Sequence, residues 1–433
     1  MSTTEITPDP PPDRENNRSG KAVTSAEATV AIAIQLCGPI SYFAVVLLVS
    51  RLHGASAQGQ FAELKVWIDL VIAFGALGLP QSLTYAINRL GADGTELAVL
   101  STKFTLVLVV PLAICSLLLR EISGLPFGDS LSLVFVTLAG CVAILVTMLR
   151  SILLAYTDGV MFSGSIALQP FVLFLIVLLW TFAGHVPRFD AAMLASFCLA
   201  LVVVAFMLHS FGVMKSTRRR NAQGVRLKVL FGFGMHAFAQ NASVALVPMI
   251  SIWLIRRSGG SIEDVGVWSI AAAVFQAVAS PLAMVAPMLF SRWTAAPADT
   301  TVSQSSDLSN RALRLSLLPT CILVAGAWFL VPIVFGSAFA DAAFASAVLA
   351  ASLPFIVVSR IMAPAIFASG APHVLTALLG LRLVVVVVTA STLIWLELTN
   401  LFVSLSLSWT LAEVLLAMGS VLWRRQAAPL KRK

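Results

Sequence analysis

Residues Arg51–Arg89 read RLHGASAQGQFAELKVWIDLVIAFGALGLPQSLTYAINR. A short polar stretch leads into Lys65 and Asp69, then an apolar run interrupted by Gly-Leu-Pro, then a charged end. The outline returns about 207 residues later. Gly59-Gln60-Phe61-Ala62 is echoed by Gly266-Val267-Trp268-Ser269, and Pro80 follows Gly59 by 21 residues, as Pro287 follows Gly266. Arg51 and Arg89 flank the first copy, Arg257 and Arg292 the second. The chain therefore reads as two related halves.

Composition decides the solvent. The 433 residues are 59% hydrophobic and 11% charged, with mean hydropathy +0.94. A soluble domain carries roughly 25% charged residues. The apolar runs number twelve, at about 28–50, 64–88, 98–119, 131–154, 164–185, 190–214, 228–255, 265–290, 311–335, 342–368, 373–396 and 399–423. Each is long enough to cross roughly 30 Å of hydrocarbon as a helix. Helices follow because a span must satisfy its own backbone groups in lipid. The expectation is an all-α polytopic membrane protein with about twelve transmembrane helices in two six-helix lobes.

The domain reading follows. A Pro-rich tail over 1–27 precedes a first lobe at 28–214, a basic linker at 215–227, a second lobe at 228–423 and a basic tail at 424–433. The tails and even-numbered loops carry 18 of the 28 Lys and Arg, including the linker's Arg218–Arg220 run, while the odd-numbered loops carry five. This asymmetry predicts that both termini are cytoplasmic. The same side for both ends agrees with an even span count, and six spans per half make the repeat parallel. The net charge of +8 belongs to topology and anionic head groups, not to nucleic acid. The five cysteines lie inside apolar runs without a C-x-x-C, and are expected as small core residues rather than disulfides or metal ligands.

No P-loop and no H-E-x-x-H occurs, and the five histidines lack metal-ligand spacing. The expectation is no enzyme, no cofactor and no metal. Intramembrane polar residues are the better clues, because charge near the bilayer centre is costly. Arg382, ten residues into span 11, reads as a cavity cation for an anionic substrate, or as a structural charge that pairs with a neighbouring helix or snorkels outward. On the cavity reading, Arg382→Ala blocks export and leaves a folded protein. Glu413 in span 12 is an ion-coupling candidate or the partner of Arg382. Asp69 is a second ion-coupling candidate, or a self-contained pair with Lys65 at i, i+4. Arg150 and Arg360, at equivalent places in spans 4 and 10, either grip a diphosphate or snorkel outward. Gln35 in span 1, and His236, Gln240, Ser243 and Asn241 in span 7, form polar stripes that line a pathway or glue helices. Pro39, Pro80, Pro248 and Pro287 are gating or hinge candidates.

Twelve spans in two halves, the element Gly59, Phe61 and Ala62, the ending Gly78-Leu79-Pro80 with Arg89, Phe335-Gly336, and Arg360 with Gly370 together resemble the polysaccharide transporter family. These are the Wzx-type flippases of the multidrug/oligosaccharidyl-lipid/polysaccharide exporter superfamily. The resemblance implies a flippase of the bacterial cytoplasmic (inner) membrane. Its substrate would be an undecaprenyl-diphosphate-linked oligosaccharide, a repeat unit of O-antigen lipopolysaccharide or exopolysaccharide. Its setting would include membrane lipids, a polysaccharide polymerase and a chain-length regulator. A V-shaped cavity between lobes would open to each side in turn. A multidrug extruder-type antiporter remains the alternative, although extruder sites are lined by acids. So does a membrane polymerase or ligase, which would need a larger outer loop.

Overall fold

The structure is a computed structural model that describes residues 25–87, 91–123, 130–157, 159–213, 227–294 and 298–427. The helices are α1 (Ser25–Ala76), α2 (Leu79–Tyr85), α3 (Gly94–Ser123), α4 (Ser130–Tyr156), α5 (Gly159–Phe182), α6 (Phe189–Ser210), α7 (Leu227–Arg257), α8 (Ile262–Thr294), α9 (Ala298–Phe335), α10 (Asp341–Ala351), α11 (Leu353–Ala368), α12 (Pro372–Trp395) and α13 (Leu401–Ala427). Among the described residues nine helices are long and apolar enough to cross a membrane, and the bent pair α10–α11, at 47°, makes a tenth. Helix α1, at 52 residues, would be about 78 Å long if straight. It holds two crossings, joined at Gly54, where the backbone leaves helical geometry (φ 82°, ψ −173°). With the 33-residue α8 the architecture is twelve membrane helices in two lobes.

The first two spans are joined inside the expected polar connection, at Gly54, but by a sharp kink between two helical arms and not by a loop over 50–64. The reason lies in where its polar side chains go. Gln58 and Glu63 are buried and take partners on the second lobe, so they need no water-exposed loop. A second break falls within span 2 at Leu77–Gly78, both at positive φ, with Pro80 in the first turn of α2. Span 10 is likewise divided, at Ser352.

In the first lobe α1 packs on α5 and α4, α4 on α3 and α6, and α2 on α4. In the second, α11 packs on α8, α9 and α13, and α12 on α7 and α13. Leu106, Val107, Val110, Leu317, Leu318 and Phe329 point out of the bundle as a lipid-facing surface. Four of the five cysteines lie there too; only Cys141 is buried. The core expectation fails for the other four because an apolar run in lipid is apolar on both faces, so composition does not mark the inward side.

The lobes meet along α1 with α8 and α7, and along α2 with α7. At the kink end, a Cβ added to Gly59 would lie 2.0 Å from the Ile262 carbonyl oxygen, and one added to Gly266 would lie 2.1 Å from that of Ala55. The contact is reciprocal, since Ala55 and Ile262 stand 207 residues apart, as Gly59 and Gly266 do. A pseudo-two-fold axis thus passes between the two glycines. Gln58 Nε2 donates to Ser269 Oγ (2.9 Å), Arg256 Nε pairs with Glu63 Oε1 (3.0 Å), and Arg51 donates to the Val334 carbonyl. At the other end, a Cβ on Gly78 would lie 1.9 Å from the Gly234 carbonyl oxygen. There Ser82 Oγ donates to the Leu230 carbonyl (2.7 Å), and Phe74 meets Phe238 edge-on at 5.3 Å. Both ends of the seam are packed.

Candidate functional site

The polar stripe of span 7 faces α12. His236 Nδ1 lies 3.2 Å from Thr376 Oγ1. One turn on, Gln240 borders a cavity, and Ser243 receives Arg382. The spacing of these three puts them on one helical face, which α12 covers. Asn241 lies beside them, half-buried.

Arg382 is 7% exposed and fully engaged. Its Nε donates to Glu413 Oε1 (2.9 Å), Nη2 contacts the same oxygen (2.6 Å), and Nη1 reaches the Ser243 carbonyl and hydroxyl oxygens (3.2 and 3.1 Å). Of the two sequence readings, the structure realises the paired one. Truncating one partner of a buried pair costs about 3–5 kcal/mol, because the other charge is left uncompensated. The expectation that Arg382→Ala leaves a folded protein is therefore withdrawn.

Arg360 on α11 stands close enough to Glu413 and Arg382 for their charges to act on it. Among the described residues no group accepts a hydrogen bond from it. Gln240, Ser359, Arg360, Arg382 and Glu413 line a cavity of ≈ 20 Å³ whose other walls are Val244, Ala363, Leu375, Leu379 and Leu416. Around it, Ile366, Leu375, Leu379 and Leu416 form one small apolar cluster, and Val358, Met362 and Ala417 another. The site is a buried Arg382–Glu413 pair beside the half-buried Arg360, with net charge +1. It lies inside the second lobe, not between the lobes.

The remaining candidates sit elsewhere. Arg150, on α4 in the first lobe, has Nε and Nη2 buried without an acceptor among the described residues. It stands on α4 and Arg360 on α11, in different lobes, and among the described residues nothing joins the two into one grip. Gln35 is buried in the first arm of α1. Asp69 pairs with Lys65, which also sits over the Tyr42 ring at 5.3 Å. Pro39 and Pro248 lie within continuous helices. The side chains of Pro287 and Arg292, with Arg89 and the linker residues 214–226, fall outside the described residues.

Sequence reasoning missed Glu63, Arg256 and Ser359. Glu63 had a readable signal, since it stands at i+4 from Gly59 and so shares the face that the glycine presents to α8. Ser359 had none.

No family model matches the chain, and no curated protein does. Solved structures do match. An outward-facing multidrug resistance MATE family transporter of the MOP superfamily aligns with 94% of this chain and 97% of its own, at 18% identity and TM-score 0.67. An inward-facing MATE family transporter covers 93% and 100%, at 15% identity and TM-score 0.67. The Vibrio cholerae MATE transporter VcmN, as a point variant, covers 94% and 98%, at 15% identity and TM-score 0.66. The chain has the MATE fold, a two-lobe bundle of twelve membrane helices. That agrees with the superfamily architecture expected from the sequence motifs, and singles out no flippase within it.

Proposed function

We propose that the chain is a membrane transporter that carries its load across the bilayer by alternating access of its two lobes, and is not an enzyme. The observation that carries this reading is the full-length likeness to MATE transporters, at the same TM-score to an outward-facing and an inward-facing one. The seam supports it physically. Two separate patches of close glycine packing hold the lobes together at opposite ends, and a rigid lobe can part at one while the other stays closed.

Within that class the likeness favours an extruder-type antiporter over a flippase for lipid-linked oligosaccharide, since the matched proteins are multidrug transporters. The flippase reading stands second. It is favoured by the net positive cluster of Arg360, Arg382 and Glu413, which suits an anionic load and leaves no unpaired acid at that site.

The test is a deletion strain compared with one complemented by this chain. Loss of drug and dye efflux, restored by complementation, with normal surface polysaccharide, is the extruder outcome. Lipid-linked oligosaccharide held in the inner leaflet, with normal efflux, is the flippase outcome. Transport of neither by the reconstituted protein would overturn the class.

A further inference from the structure

On each side of the seam one line of side chains is packed at its ends and open in its middle. Gln58, Ala62, Lys65, Asp69, Ile72 and Ala76 lie within about 40° of one line along the second arm of α1. Gln58 is 1% exposed and Ala76 2%, yet between them the side chains of Lys65 and Asp69 are 30% and 43% exposed. The second lobe repeats this profile 207 residues on. There Val265 and Ala279 are buried, and Gln276, the counterpart of Asp69, is exposed. The two lines face each other, because Gln58 Nε2 on one donates to Ser269 Oγ on the other (2.9 Å). Past that bond both lines open together. Asp69 stands ten residues from Gly59 and nine from Gly78, so the opening lies about 14 Å from either packed end of the seam.

A line turned to lipid is open and apolar, as Leu315, Leu318 and Ile322 on α9 are. This one is polar where it opens, and hydrocarbon does not solvate charge, so the opening is a wet recess between the lobes. Tyr42, from the first arm of α1, closes one side. The Lys65 ammonium sits over its ring at 5.3 Å and against the Asp69 carboxylate. Among the described residues the recess therefore carries one ammonium and one carboxylate, which cancel. A load with a bare charge finds no counter-charge there unless that pair breaks, and an uncompensated charge away from bulk water is costly. A load whose charges cancel meets a donor and an acceptor side by side. We propose that Lys65, Asp69 and Gln276 form a mid-seam subsite on the transport path. The Lys65–Asp69 balance makes it select a neutral or zwitterionic load over a bare cation or anion. The proposal rests on the transport reading and adds the class of load.

The test places Gln276→Cys, in the full-length protein without its five native cysteines, as a reporter across the recess from the pair. Its rate of reaction with cationic, anionic and neutral methanethiosulfonates is measured in right-side-out and inverted membrane vesicles. Each rate is divided by that of a free thiol. With the pair intact, the neutral reagent should react at least about threefold faster than either charged one. The two charged reagents should agree within about twofold and should reach the thiol from both sides. Lys65→Met bares the acid and should raise the cation-to-anion ratio about tenfold; Asp69→Asn bares the ammonium and should lower it about tenfold. The double variant should return the ratio to about one, which separates charge from altered packing. Either single variant decides the matter should the other fail to fold. Equal ratios in every background, or no reaction from either side, would overturn the proposal and leave the transport reading to its efflux test. Reaction from one side only, with the charge response intact, would uphold the subsite and count against alternating access.

Discussion

Gly59→Ala should open one end of the seam. The added methyl group would sit 2.0 Å from the Ile262 carbonyl oxygen and 3.0 Å from the Ile262 carbonyl carbon. Ordinary contact begins near 3.4 Å, so α1 and α8 must part by about 1.4 Å, and a backbone oxygen cannot rotate aside. Overpacking of this kind costs about 1–3 kcal/mol. Here the cost falls only on the conformation closed at this end. At 1.4 kcal/mol per tenfold, the ratio of open to closed rises roughly 5- to 150-fold. Spin labels at Gln60→Cys and Ser258→Cys, in a background without the five native cysteines, would report the distance across the seam; both positions are exposed. Gly266→Ala should do the same, since its methyl meets the Ala55 carbonyl oxygen at 2.1 Å. Gly164→Ala, with nothing within 4 Å, should be silent. Unchanged distance distributions in both seam variants would mean that the glycine contacts do not hold this end closed.

Three further outcomes follow from the same geometry. Arg382→Ala should cost about 3–5 kcal/mol and deplete folded protein in the membrane, whereas Arg382→Met with Glu413→Leu should recover most of the loss; unfolding midpoints and expression of the three proteins check this. Gly78→Ala should open the opposite end, because φ +69° adds backbone strain of about 1–2 kcal/mol to a clash at 1.9 Å with Gly234; labels across α2 and α7 would read it. Glu63→Gln should raise opening at the Gly59 end only a few-fold, in the same spin-label assay, because its partner Arg256 is 28% exposed and such pairs are worth about 1 kcal/mol or less.

The twofold plan of the molecule was legible because it is written in spacing. Gly59 and Gly266 repeat at 207 residues, and they turn out to touch the residues that precede each other by the same step. Span positions were legible because lipid leaves helices no alternative. The join of the first two spans was legible in place, at Gly54, but not in form, since polarity there signals partners across the seam as well as water. The charge cluster was half legible. Arg382 and Glu413 each declared themselves by their depth, but a helix hydrophobic all round carries no periodic mark of which neighbour it faces. The pairing therefore had two readings until α12 and α13 were seen side by side. Arg150 and Arg360 show the limit of symmetry. They match in sequence, yet among the described residues Arg360 shares its pocket with a carboxylate, Glu413, and Arg150 does not, because the first lobe has Phe206 at the same 207-residue step.

Alternating access ties the two ends of the seam together, so two distances read at once decide it. One label pair spans the Gly59–Gly266 end, and the other spans the Gly78–Gly234 end. Both are read in the reconstituted full-length protein with and without load. The two distances should move in opposition, each end opening only in molecules whose other end is closed. Ends that open together, or a seam that stays shut at both while substrate crosses, would contradict it.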